Sequence, residues 1–170
     1  LDADVLADLE LELQRLTDGR RARDADEVHD LLRTLGPLTA LEVAARSDHP
    51  DPGSLLEALV EERRAIQVGL PLDGAVPAHF GAAEDAARLR DALGVALPPG
   101  LPQQFTDPVD APLAELVVRF ARTHGPFLVA DVVRALGAGT EPVRLVLDDL
   151  TRTGRLVRGE FRPDGADREW

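Results

Sequence analysis

The 170-residue sequence has no cysteine, methionine or tyrosine, and lysine and asparagine are missing as well. Without cysteine there are no disulfides and no thiolate metal sites, which fits a reducing, cytoplasmic setting. All 19 basic residues are arginine, so arginine in place of lysine carries no message at any single position; a coding bias toward Ala, Arg, Asp, Gly, Leu, Pro and Val accounts for it. No apolar run is long enough to cross a bilayer. The opening stretch LDADVLADLELELQRL is acidic, and no basic leader precedes an apolar core, so it does not read as a secretory signal. With no initiating methionine and a strand pattern running to the last residue, the sequence is expected to be a segment of something longer.

What is present is 44% hydrophobic residues, enough for a sizeable core, and a formal charge of −12. That charge is uneven. Residues 152–170 hold five arginines against four acids, and only this region escapes net negative charge.

The apolar spacing predicts a mainly α (α+β) fold. Residues 1–22 read as a connecting helix with Leu6, Leu9, Leu13 and Leu16 on one face. Residues 23–82 read as three helices and a hairpin. Val28, Leu31, Leu32 and Leu35 point inward on the first helix, which Gly36-Pro37 stops. Thr39 and Glu42 form a capping box at the start of the second, and Leu55, Leu56, Leu59 and Val60 are inward on the third. IQVGL and AVPAHF, turned by Asp73-Gly74, form the hairpin, with Pro77 marking an edge strand. Residues 109–170 repeat that order. GPLTALEVAAR aligns with GPFLVADVVRA at an offset of 89 residues, and Val143, Val146, Leu147 and Leu150 form the apolar stripe of the third helix. Three helices followed by a two-stranded wing is the winged-helix pattern, here expected twice. Between the copies, residues 83–108 give one helix and a connector whose Pro98, Pro99, Pro102 and Pro108 suggest a semi-rigid spacer.

Little in the chain points to catalysis. No GxxxxGK[ST] loop is present, and His29, His49, His79 and His124 lack ligand spacing, so neither a catalytic residue nor a metal site is assigned. Ser47-Asp48-His49 lies in a loop where adjacent side chains diverge, which does not suit a triad.

Nucleic-acid contact requires cations on a presented surface. The third helix of the first copy displays Glu57, Glu61 and Glu62, which repel phosphate and suit a packing module. In the second copy the candidate contacts are Arg144, Arg152, Arg155, Arg158 and Arg162, although Asp148 and Asp149 divide the helix face. Along the strand, Arg158, Glu160 and Arg162 share one side, and Val157, Gly159 and Phe161 the other. Two readings of these arginines stand: pairing across the hairpin with Asp167 and Glu169, or contact with two or three phosphates, giving a log-affinity versus log-salt slope of about −2 to −3.

The runs ALGVALPPGLPQQFTDPV, LAELVVRFARTHGPFLVADVVRALG and LTRTGRLVRGEFRPDGADREW resemble the region that follows the helicase core in bacterial large helicase-related proteins (Lhr), as do RRARDADEVHDLLRTLGPLTALEVAAR and AAEDAARLRDALG. The resemblance implies an accessory tandem winged-helix segment of an ATP-dependent superfamily 2 helicase that moves 3′ to 5′ and is linked to DNA repair. ATP and magnesium belong to the parent's helicase core, so the segment itself carries no cofactor and is not an enzyme. Its implied partners are the neighbouring helicase-core and C-terminal domains, further copies of itself, and weakly held single- or double-stranded DNA, with no membrane. Two other readings are a free-standing acidic adapter for protein partners in a chromosome-associated complex and a DNA glycosylase-like domain.

Overall fold

The computed structural model describes residues 2–71, 75–162 and 169–170. The Asp73-Gly74 turn and Asp167, both singled out above, lie outside the described residues.

Helix α1 (Ala3–Leu13) starts at Asp2, whose carboxylate accepts the amides of Asp4 and Val5. Its leucine stripe docks only in part. Leu6, Leu13 and Leu16 are half-buried, Leu9 remains 45% exposed, and no residue of the helix is fully buried.

Helix α2 (Ala25–Leu35) is capped by Asp24, which accepts the Glu27 amide at 2.9 Å. Val28, Leu31 and Leu32 are buried and Leu35 half-buried, and Gly36, at φ 90°, ends the helix as expected. Helix α3 (Ala40–Ala45) opens on the predicted capping box, the Glu42 amide donating to the Thr39 hydroxyl at 3.2 Å and the Thr39 amide to the Glu42 carboxylate at 2.7 Å. Helix α4 (Pro52–Glu61), with Asp51 as cap and proline in its first turn, buries Leu56 and Leu59 and half-buries Leu55. Val60, expected inward, is 37% exposed because it sits at the edge of the stripe those leucines define.

Strands β1 (Ala65–Gly69) and β2 (Ala78–Ala82) pair antiparallel, with Ala65 opposite Ala82 and Gly69 opposite Ala78. Pro77 stands just before β2, where its carbonyl accepts the Leu70 amide at 3.3 Å and its ring disturbs no ladder donor. Leu38, between α2 and α3, bridges the other edge of β2 by exchanging both backbone bonds with Phe80, at 2.9 and 2.7 Å. Three helices and a two-stranded wing are the elements of a winged helix.

The connector packs against the fold. Ile66, Val68 and Leu70 share one face of β1 that α2–α4 leave open, and helix α5 (Ala86–Leu93) closes it with Ala86 and Leu89. A Cβ on Gly81 would lie 3.0 Å from the Leu89 side chain, so glycine permits this close helix-on-sheet approach. Val95, Leu97, Leu101 and Phe105 of the proline-rich stretch join the same cluster, because apolar residues beside an uncovered apolar face are removed from water there.

Helices α6 (Pro112–Thr123), α7 (Val129–Leu136) and α8 (Thr140–Arg152) complete that larger core with Leu116, Val117, Phe120, Val132, Leu147 and Leu150. Val143 is buried with them and Val146 half-buried. Phe127 stands 89 residues after Leu38 and exchanges both backbone bonds with Trp170 at 3.0 Å each. Of the paired ribbon expected over 155–170, the described residues hold one bridge, between Gly159 and Glu169, and residues 163–168 lie outside them. The Glu169 side chain turns back to accept the Phe161 and Arg162 amides at 3.0 Å.

Candidate nucleic-acid interface

The five candidate arginines have different neighbours. Arg144 and Arg152, on the exposed side of α8, pair one helical turn back with Glu141 at 3.2 Å and Asp149 at 2.6 Å. Arg158 lies 4.7 Å from the centre of the Trp170 ring and 3.8 Å from Asp148. Arg162 meets Glu169 at 3.2 Å and also donates to the Pro126 carbonyl. Trp170 is buried, its indole donating to the Thr151 hydroxyl at 3.0 Å, so the basic stretch is anchored by an aromatic plug. Arg155 departs from this company. It lines a cleft in which the other four take no part.

That cleft, of about 740 Å³, is walled by α1, the end of α2, α5, α6 and the turn after α8. Besides Arg155 it gathers Arg15, Arg20, Arg33 and Arg88, and from α6 come Arg119 and Arg122. Only Glu12 and Glu115 oppose them on its walls. Arg20 pairs with Glu12, and Arg88 with Glu115 at 2.6 Å; Arg119 grips the buried Asp85 through both carboxylate oxygens at 2.5 and 2.9 Å, with Arg88 on the same carboxylate. Among the described residues, Arg15, Arg122 and Arg155 make no ion pair. No local motif announces this cluster, since its members come from five separate elements and only folding joins them.

Behind the cleft runs a buried polar link. Arg46 reaches out of the α3 C-cap and donates to the Gln14 carbonyl at 2.9 Å, the Gln14 side-chain oxygen at 2.8 Å and the Glu42 carbonyl at 3.0 Å. Gln14 in turn donates to the Thr123 carbonyl at 2.7 Å, so the C-terminal ends of α1, α3 and α6 are tied at one point. His124 stacks on Phe120 with centroids 3.6 Å apart, and its Nδ1 donates to the Phe120 carbonyl at 2.9 Å. Burial of this ring pushes its pKa below the usual imidazole value and outweighs that hydrogen bond.

Ser47, His49 and Asp48 do not converge. The Ser47 hydroxyl donates to the Ala22 carbonyl at 3.0 Å and accepts the His49 amide at 3.2 Å, a loop-fastening role. Among the described residues no group of three or more His, Asp or Glu side chains is placed to hold a metal ion, and no helix is long and apolar enough to cross a membrane.

A family model described as large helicase-related protein, winged-helix domain, matches residues 1–108. The chain belongs to this Lhr winged-helix family. Over all 170 of its residues it is 41% identical to a Lhr helicase/probable uracil glycosylase of Mycolicibacterium smegmatis, of which it covers 11%. Over 157 residues, 92% of the chain, it is 35% identical to a Lhr helicase/uracil glycosylase of Escherichia coli, of which it covers 10%. The chain thus spans about a tenth of the length of the curated relatives it matches. The resemblance read from its own residues is borne out.

Proposed function

We propose that this chain is an accessory, non-catalytic segment of an ATP-dependent DNA helicase acting in repair, built as two winged-helix units in tandem. The reading of a second unit rests on α6–α8 and on the Phe127–Trp170 pairing, which stands where Leu38–Phe80 stands in the first. In this reading the segment braces neighbouring helicase-core and C-terminal domains, self-associates, and adds a secondary contact to nucleic acid. ATP and magnesium belong to the parent's motor.

The observation that carries the bracing role is the buried link through Gln14 and Arg46, together with the Asp85–Arg119 pair. Both tie the two halves by charged or polar groups that are costly to expose singly, so the halves present one fixed surface to whatever flanks them. The net charge of −12 keeps most of that surface away from phosphate and favours protein neighbours.

The test is a pair of measurements on the purified chain. Incubated with uracil-containing single-stranded DNA and, separately, with ATP, it is expected to leave both unchanged; excision or hydrolysis would overturn the non-catalytic reading. Sedimentation velocity across micromolar concentrations is expected to show self-association, and a monomer throughout would remove oligomerisation from the role.

A further inference from the structure

We propose that the arginine cleft between the two halves is the nucleic-acid contact of this segment and grips the sugar-phosphate backbone. This rests on, and deepens, the reading of an auxiliary nucleic-acid contact above, and moves it off the second wing. The argument begins with charge. In a chain with 31 acidic residues against 19 arginines, the cleft walls carry seven arginines and two glutamates. Four of the seven are answered, Arg20 by Glu12, Arg33 by Asp30, and Arg88 and Arg119 by Asp85 with Glu115, and the remaining three leave an excess of positive charge that an anion can answer.

Those anions are in part missing from the protein. Arg119 and Arg88 are positioned by Asp85, and Arg20 by Glu12, whereas Arg15, Arg122 and Arg155 make no ion pair among the described residues. Three guanidinium groups that form no ion pair, beside others held in place, can donate to phosphate oxygens in forked geometry.

The shape selects the polymer. The described lining is made of helix side chains and the turns that follow helices, and it offers no strand edge on which an extended peptide would add a strand. Leu9, Leu13 and Val118 provide an apolar floor against which sugars and base faces can lie, and the absence of aromatic side chains predicts little base preference. The wing arginines, by contrast, are occupied with Glu169, Trp170 and Asp148.

The experiment is fluorescence anisotropy of a labelled oligothymidylate with the chain over a salt series, comparing Arg122→Glu/Arg155→Glu with Arg144→Glu/Arg152→Glu. All four arginines are exposed, and unfolding curves verify that each variant folds. For the unaltered chain, three phosphates give a log-affinity versus log-salt slope of about −2 for a single strand. The cleft variant is expected to lose at least tenfold in affinity and most of that slope, while the α8 variant keeps both. Binding that survives in the cleft variant and falls in the α8 variant overturns the cleft and leaves the auxiliary contact standing. Failure of the unaltered chain to bind even at low salt overturns both, and capture of polyglutamate in place of DNA would assign the cleft to an acidic protein segment.

Discussion

Trp170 shows how much a single side chain can fix. It is the only tryptophan in the chain, it is 8% exposed, and it makes a backbone pair with Phe127, an indole bond to Thr151 and a cation–π contact with Arg158. Trp170→Ala is expected to destabilise the chain by about 3–5 kcal/mol, measured by urea denaturation followed by circular dichroism. Its fluorescence in the unaltered chain reports this same contact without a label. The sequence revealed REW as a distinctive ending but not its partner: Phe127 lies 43 residues earlier, and no local pattern names a partner at that range. The wing arginines met the same difficulty: alternation placed them on one strand face, yet their partners Asp148, Trp170 and the Pro126 carbonyl come from distant positions in the chain.

Among the elements, α6 begins in an unusual way. Its N-cap is Ala111 at φ 47°, in the left-handed region that crowds a Cβ, and no side chain caps the first turn. Ala111→Gly is expected to raise stability by about 1 kcal/mol, visible as a higher Tm, because relief of that crowding exceeds the added freedom of the unfolded chain. Elements were the most legible level of the sequence. The capping box at Thr39, the stop at Gly36 and the stripes of α2 and α8 all follow from local rules. The proline-rich connector did not. Proline content describes the stiffness of an isolated chain, whereas Val95 and Leu101 respond to the open β1 face, which only the folded first unit supplies.

Over the whole molecule, stability should respond to acid through His124. Its folded-state pKa lies below 6.5, so the unfolded chain takes up a proton first as pH falls. The contribution of the neutral ring is therefore complete above that value and is lost as pH drops below it toward the folded pKa. Chemical denaturation at pH 8 and at pH 5.5 is expected to show a fall in stability that shrinks in His124→Asn. A fall of equal size in both proteins would place the acid sensitivity elsewhere. The arginine cleft belongs to this scale too, which explains why it escaped a reading made segment by segment: net charge per segment sums what folding then separates.

The embedding of the connector has a mechanical consequence. A pull on one half of this block would reach the other through packed side chains as well as through the backbone, because Val95, Leu97, Leu101 and Phe105 of the connector belong to the larger apolar cluster.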